Sequence, residues 1–432
     1  MNKDLNGGFG THDDYGNSLF SKILMRVKAK GIRLPVLSFA FLQGILKQKG
    51  FSVQYFENEI PLANVHFDVI LLYGTIVDFK NENEHCLKLK EQFPNSKIGF
   101  FGPFPALMPH LFRTADFVIL GEAEAFFMNE FISTFQLEGQ VNVLSLTDME
   151  ELPLPDFTGF PVTSYSYHPI LPYQPFLILQ ASKGCPYSCR FYCVYGKEQG
   201  AVIRQRSVKK VADDIVCLQK QFNIKAIQFR DPVFGLKKGY IEEFSEELIK
   251  RKLKIYWGIE TRLDLLNEQN IDIMYNAGLR NINAGIETSD KIIAKRNKRL
   301  LVDESHQEKI IRYCKKKGIN VSAFYIIGME GDTELTVMNT IAYAKRLNTL
   351  TARFAVSTPY PGTGYYTQMQ MQNRLLTDDF EQYGQFSLVF RHEHLSPVIV
   401  KKMLNKAYRI YYLRARFTAM FLMNTVRRKF SK

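Results

Sequence analysis

Three cysteines lie within nine residues, in Lys183-Gly184-Cys185-Pro186-Tyr187-Ser188-Cys189-Arg190-Phe191-Tyr192-Cys193. Thiolates are soft ligands that suit zinc or an iron–sulfur cluster. Zinc usually takes four protein ligands, often as paired Cys-x-x-Cys motifs. No second pair occurs, and the nearest histidine, His168, is followed by Pro169 and Pro172. A [4Fe-4S] cubane takes one ligand per iron. Three cysteines then leave the fourth iron free for another ligand. The other cysteines, Cys86, Cys217 and Cys314, are scattered singly, which is no disulfide framework. Cys217 and Cys314 fall in helical patterns and read as buried core thiols.

A cluster loop needs a scaffold. From residue 176 candidate strands at 176–182, 225–231, 255–261, 281–287, 320–327 and 352–358 alternate with helical patterns. Six such units suit an open (β/α) barrel, in which functional residues gather at the carboxyl ends of the strands. The first strand runs straight into the cysteines. Others end Gln228-Phe229-Arg230-Asp231, Glu260-Thr261-Arg262, Gly285-Ile286-Glu287-Thr288 and Tyr325-Ile326-Ile327-Gly328. The sixth leads through Ser357-Thr358 to Pro361-Gly362. Polar groups there would face a shared mouth.

Ahead of this series, strand-like runs at 51–56, 67–74, 98–102 and 117–121 alternate with helical patterns at about 36–49, 81–93, 105–113 and 123–136. That pattern predicts a parallel sheet with helices on both faces. Such a domain should open with a strand before the helix near residue 36. The chain instead opens on a glycine-rich stretch, Asn6-Gly7-Gly8-Phe9-Gly10. The expected strand is missing, or the start of translation is assigned too late; the second reading is preferred. The expected organisation is an α/β domain over 1–140, a proline-rich linker over 141–175, a partial barrel over 176–370 and a helical basic region over 371–432.

With 46% hydrophobic residues the chain has the composition of an ordinary globular protein. No run is apolar enough to span a membrane, and the first residues lack the apolar core of a signal peptide, so a cytoplasmic location is expected. The net charge is +13, but residues 401–432 carry ten Lys or Arg and no acid. The excess is therefore local, and no nucleic-acid partner is expected. The segment from Tyr408 to Lys429 mixes aromatics and cations at helical spacing. It reads first as a helix packed on the barrel with a solvated basic face. Peripheral membrane contact near a lipid-like substrate is the alternative. His392 and His394 read as solvated loop residues.

The cysteine motif, its place after the first barrel strand and the later strand ends resemble the radical S-adenosylmethionine (SAM) superfamily. The usual signature there is Cys-x-x-x-Cys-x-x-Cys. This chain has one residue more in the second gap and keeps an aromatic residue, Tyr192, before the last cysteine. The resemblance implies that Cys185, Cys189 and Cys193 hold a [4Fe-4S] cluster whose fourth iron is chelated by SAM. It also implies one-electron cleavage of SAM to a 5′-deoxyadenosyl radical, supplied by an external donor such as flavodoxin or ferredoxin. By position, Asp231 would accept from the SAM amino group, Arg262 would pair with its carboxylate, and Glu287 would take the ribose hydroxyls. Tyr325 and Tyr192 would flank the adenine.

An α/β domain ahead of such a barrel resembles the cobalamin-binding-domain subgroup. Gly102-Pro103-Phe104-Pro105-Ala106-Leu107, Phe117-Val118-Ile119-Leu120-Gly121-Glu122-Ala123-Glu124 and Leu34-Pro35-Val36-Leu37-Ser38 carry this likeness. It implies a Rossmann-like cobalamin domain and methyl transfer to an unactivated carbon of a small-molecule or lipid-like substrate. The Asp-x-His-x-x-Gly motif that would give cobalt a histidine is absent. Gly74, Gly102 and Gly121 follow strand ends, where a backbone could come close to a corrin. Radical cyclisation or rearrangement without cobalamin, and a non-catalytic iron–sulfur protein, are the other readings.

Overall fold

The computed structural model describes residues 22, 25–26, 31–57, 65–131, 133 and 137–415. Among these, two parallel sheets carry the architecture. A two-residue strand β1 (Ile32–Arg33) leads into the helix Leu37–Gln48. Then β2 (Val69–Tyr73), β3 (Lys97–Phe101), β4 (Phe117–Leu120) and β5 (Gly139–Asn142) form a four-stranded sheet in sequence order, all parallel. β1 does not join it. It pairs antiparallel with β6 (Ser166–Tyr167), far along the chain.

The second sheet is built from β7 (Phe176–Leu179), β10 (Ala226–Phe229), β11 (Tyr256–Thr261), β12 (Leu279–Glu287), β13 (Asn320–Ile327) and β14 (Thr351–Val356), parallel and in that order. The intervening pair β8 (Ser182–Lys183) and β9 (Arg204–Gln205) is a separate antiparallel hairpin. In a parallel sheet of sequential strands, right-handed crossovers put every connecting helix on one face. The other face becomes the inside of the barrel-type sheet. Its base is polar and hydrogen-bonded: Asn281 donates to Gln228 at 3.0 Å and to Asn283 at 3.0 Å, and Asn283 donates to the Tyr167 hydroxyl at 2.9 Å. The linker thus delivers Tyr167 into the barrel.

Local chemistry sets the helix ends. Asn267 and Thr333 form capping boxes, and Asp290 and Asp303 accept from first-turn amides. The helix Val208–Phe222 starts on Ser207 and stops at left-handed Asn223. It buries Val211, Ala212, Ile215 and Leu218. Cys217 falls off that stripe and is exposed, contrary to its reading as a core thiol; Cys314 is buried as expected.

The late helix Pro397–Tyr412 packs on the open edge of the barrel sheet. Tyr408 donates to Phe354 O at 2.9 Å, Tyr411 to Thr349 O at 2.6 Å and Tyr412 to Ala352 O at 2.9 Å. The amides of Phe354 and Ala352 donate back to Tyr408 and Tyr412. These phenols occupy the unpaired groups that an edge strand exposes. Before that helix, Phe380 packs on Phe104, and Asp379 pairs with Lys80 at 2.7 Å, so this stretch reaches the helices of the first domain, and residues 375–395 are not helical throughout.

Other expectations shift. Residues 51–56 form no strand. The helices expected at 105–113 and 123–136 shrink to Pro103–Leu107, a turn at Pro109–Leu111 and the short turns Ala123–Ala125 and Phe126–Glu130. His392 is not a solvated loop residue: its ring meets Met329 O at 2.9 Å and accepts from the amides of His394 and Leu395. The glycine-rich opening and the basic segment beyond 415 lie outside the described residues. No described helix is long and apolar enough to cross a membrane.

Candidate active site at the cysteine loop

The cysteines sit on the loop of the β8–β9 hairpin. Lys183 pairs with Arg204 across its neck. Gly184 holds φ at +90°, and a Cβ there would lie 1.9 Å from Val202 O, so only glycine fits. Cys185 donates its amide to Gly200 O at 3.0 Å. The carbonyl of Cys189 accepts from the amides of Tyr192 and Cys193 at 3.0 and 2.9 Å, which puts Cys189 and Cys193 on one turn. Cys185 and Cys189 are buried and Cys193 is partly exposed.

A segment after the helix Lys291–Arg296 closes over this loop. Ser188 donates to Lys298 O at 2.9 Å, and the Lys298 ammonium lies 4.3 Å from the Phe191 ring centre. Arg299 donates to Gly285 O at 2.6 Å, lies 3.7 Å from Glu287 and reaches Cys189. Burial pushes the Cys193 thiol up to about 12, with neighbouring Cys189 adding to it. Burial also raises Cys185, against the pull of Arg262 and Arg299. Thiols held largely out of water, two of them beside guanidinium groups, favour a cationic centre that would turn them into thiolates.

No three His, Cys, Asp or Glu side chains among the described residues converge as ligands of a metal ion. The three cysteines share a loop and feel one another's charge without meeting at a point. A cubane engages each thiolate at a different iron, and so spreads its ligands more widely than one tetrahedral ion does.

Of the residues expected around SAM, Arg262 and Glu287 stand beside the loop. Arg262 is buried, stacks 4.5 Å from the Tyr187 ring centre and is held by Asp264 at 3.0 Å and Leu300 O at 3.2 Å. Its Nη1 is buried without a hydrogen-bond partner. Glu287 ends β12 at a register shift with φ of +69°, an uncommon conformation for a non-glycine residue. Burial raises its pKa, against the pull of Arg299 and Arg262. The Tyr192 hydroxyl is also buried and unpartnered, with Glu287 and Arg299 as neighbours. Arg262 Nη1 and the Tyr192 hydroxyl are open valences beside the cysteines, and they fit a polar ligand at a cluster's fourth iron.

Two expectations change. Asp231 is fully enclosed; its oxygens accept from the Ala181 amide at 2.8 Å and the Ser182 hydroxyl at 2.6 Å. It anchors the start of the cysteine hairpin and offers nothing to a SAM amino group. Burial pushes it up to about 7, against those hydrogen bonds. Tyr325 is fully buried on the helix side of β13, stacked 5.2 Å from Phe354. Strand alternation turns Phe324 and Ile326, which stay partly exposed, toward the mouth instead.

Sequence reasoning missed Arg230, Glu260 and Arg299. Arg230 pairs with Glu260, and the Tyr195 hydroxyl meets Glu260 at 3.5 Å. Their signal was available: Arg230 shares a strand face with buried Gln228, and Glu260 shares one with Arg262. Arg299 gave none among Lys295, Arg296 and Lys298.

Toward the first sheet, Tyr73, Glu198 and Tyr360 come from three separate elements. Tyr73 and Tyr360 both feel the Glu198 charge, and all three remain partly exposed. They gather between the end of β2 and the stretch after the cysteines, where the barrel mouth meets the first sheet. The three glycines do not open onto it. A Cβ at Gly74 would strike Pro105 at 2.3 Å, one at Gly102 would meet Tyr73 at 3.0 Å, and one at Gly121 would meet Val143 O at 3.1 Å. The chain itself fills the room a corrin would need there.

This arrangement defines a class. Residues 179–344 match the radical SAM superfamily and form a radical SAM domain. A domain of this class works with a [4Fe-4S] cluster and SAM. Beyond the domain, the chain is 30% identical over 270 residues to an uncharacterized methyltransferase of Pyrococcus horikoshii, covering 62% of this chain and 57% of that protein. It is 28% identical to the anaerobic magnesium-protoporphyrin IX monomethyl ester cyclase of Rubrivivax gelatinosus, covering 58% of this chain and 44% of that protein. The chain therefore spans about half the length of these two relatives. Its fold is shared with the radical SAM methyltransferase TsrM of Kitasatospora setae, solved with cobalamin and a [4Fe-4S] cluster. The TM-score is 0.61 at 17% identity, over 78% of this chain and 75% of that one.

Proposed function

We propose that this chain is a cobalamin-dependent radical SAM methyltransferase that methylates an unactivated carbon of a small molecule in the cytoplasm. The observation that carries the reading is the position of the three-cysteine loop. It rises from the end of the first barrel strand and is overhung by the C-terminal edge of the first sheet, so a cluster on it would face both halves.

Cys185, Cys189 and Cys193 would hold the cluster. Arg262 would give its free Nη1 to the SAM carboxylate. Glu287 would accept from the ribose hydroxyls, and Tyr192 would flank the adenine. Arg299 would balance the charge of the thiolates. When bound, the cluster and SAM supply one-electron cleavage of a carbon–sulfur bond, and cobalamin supplies a methyl carrier. The domain of 1–140, whose last strand runs on to Asn142, would be the Rossmann-like, cobalamin-binding domain, joined through the linker up to 175 to the barrel of 176–370. Cobalamin would lie against Tyr73, Glu198 and Tyr360, since the glycine ends of the strands are closed. An external flavodoxin or ferredoxin would deliver the electron. Lys401, Lys402, Lys406 and Arg409 line one outer groove and would contact an anionic membrane if the substrate is lipid-like.

The likeness to the Rubrivivax cyclase favours a second reading, radical cyclisation or rearrangement without methyl transfer. Anaerobic reconstitution with iron, sulfide and hydroxocobalamin, followed by product analysis after reduction with SAM, separates the two. Formation of 5′-deoxyadenosine together with S-adenosylhomocysteine is the expected result. Deoxyadenosine alone, with no bound cobalamin, overturns the methyltransferase reading in favour of the second.

A further inference from the structure

Four charged side chains meet where the first sheet touches the cysteine hairpin. Glu122 and Glu124 directly follow β4. Lys183 and Arg204 are the paired residues at the hairpin's neck. Arg204 forms a two-pronged contact with Glu122 and also donates to Leu146 O and Gln199 O. The Lys183 ammonium lies 3.6 Å from Glu122 and 3.7 Å from Glu124. Side-chain exposure runs only from 5% to 11% across the four. Burial works against the Glu122 charge, but Lys183 and Arg204 more than offset it, and its carboxyl stays below the usual range.

The placement is specific. Lys183 and Arg204 bracket the loop that carries all three cysteines, and both reach into the other sheet for their partners. From the barrel side, Asp231 holds only the residues before Lys183. The two carboxylates after β4 therefore hold the neck from the opposite side.

We propose that Glu122 and Glu124 are positioning residues for the cysteine loop, through which the first sheet sets the geometry of the cluster. The proposal rests on the reading of this loop as cluster-binding. A buried pair that loses one partner leaves an uncompensated charge, so neutralising Glu122 frees both neck cations to rearrange. Occupancy at the edge of the first sheet would be felt at the cluster through the same contacts.

Hydrogen exchange on the cofactor-free full chain tests this without any cluster. In Glu122→Gln, amides of residues 184–203 should exchange about tenfold faster than in the parent protein. Those of β10 and β13 should be unchanged, which also reports that the variant folds. Glu122→Asp keeps the charge and should restore most of the protection. Should Glu122→Gln fail to fold, Glu124→Gln, which leaves Lys183 one carboxylate, replaces it with the same expectation. On reconstituted protein, the electron paramagnetic resonance signal of the reduced cluster should change in the Gln variant and return in the Asp variant, at equal iron content. Loop exchange within about twofold of the parent, or a cluster spectrum identical in all variants, overturns the proposal. A parent protein that takes up no cubane would sink the functional reading, and the exchange result would still decide this one.

Discussion

The carboxylates around the cysteine hairpin are handled in two opposite ways. Glu122 and Glu124 are tucked against Lys183 and Arg204, and Glu260 and Glu287 have Arg230 and Arg299. The side chain of Glu198, five residues past Cys193, makes no hydrogen bond or ion pair among the described residues. Its surroundings are tyrosines, Tyr73, Tyr195 and Tyr360. The paired acids are architecture: their energy lies in contacts that exist before any ligand arrives. The unpaired one is a deficit that the folded chain tolerates. A protein that satisfies its other acids around one site and leaves a single one unmet shows where its scaffold ends and its binding surface begins.

The strongest way to break that division is at the cysteines. Replacing Cys185, Cys189 or Cys193 by alanine should each abolish reductive cleavage of SAM, measured as deoxyadenosine formed under dithionite. Exposed Cys217→Ala should leave it intact. Activity surviving in any of the first three would remove the loop from the site. A smaller effect is expected at a paired acid. Glu260→Gln removes the carboxylate that the Arg230 guanidinium pairs with and should lower stability by about 2–4 kcal/mol, read from thermal or denaturant unfolding. The double replacement Arg230→Met with Glu260→Leu removes both charges and should recover most of that loss. If the single variant is as stable as the parent, Glu260 is not part of the scaffold.

Most of the scaffold was legible because strand and helix periods differ and the barrel strands are long. Six barrel strands were expected within a few residues of where they lie. The weaker first domain was harder to read. Residues 51–56 alternate like a strand but find no neighbour to pair with, and the short turns after β3 and β4 follow proline and packing more than period. At the site, the cysteines were visible from spacing alone. Asp231 and Tyr325 were misread because a strand end offers two faces. A residue's side of the sheet depends on register: Arg230 faces the interior, and its neighbour Asp231 turns back to tie down the hairpin. Glu198 left no trace in the sequence, since nothing local distinguishes an acid whose partners fail to arrive from one with a lysine across a domain boundary.

The smallest effect sharpens the comparison most, because it isolates the unmet acid. Burial raises the Glu198 carboxyl to about 7. Its folded pKa therefore exceeds its unfolded value, near 4.5. Below about pH 4.5 the group is neutral in both states and stability is undiminished; as pH rises through about 7 the folded chain must ionise a half-buried acid, and stability is lost. Glu198→Gln removes that penalty, so in cofactor-free protein the variant should exceed the parent by about 1–3 kcal/mol at pH 8, converging with it near pH 4.5. Asp231 and Asp332, also raised by burial, titrate in both proteins and cancel in the difference. Tyr73, Tyr195 and Tyr360 are held above their ordinary range and stay neutral throughout. Melting temperatures of the two proteins from pH 4.5 to 8 check this. Parallel curves would mean that Glu198 is already satisfied, and the contrast between it and the paired acids would fall. If the gap opens as expected and then closes when hydroxocobalamin or an amine is added, the missing partner belongs to a ligand.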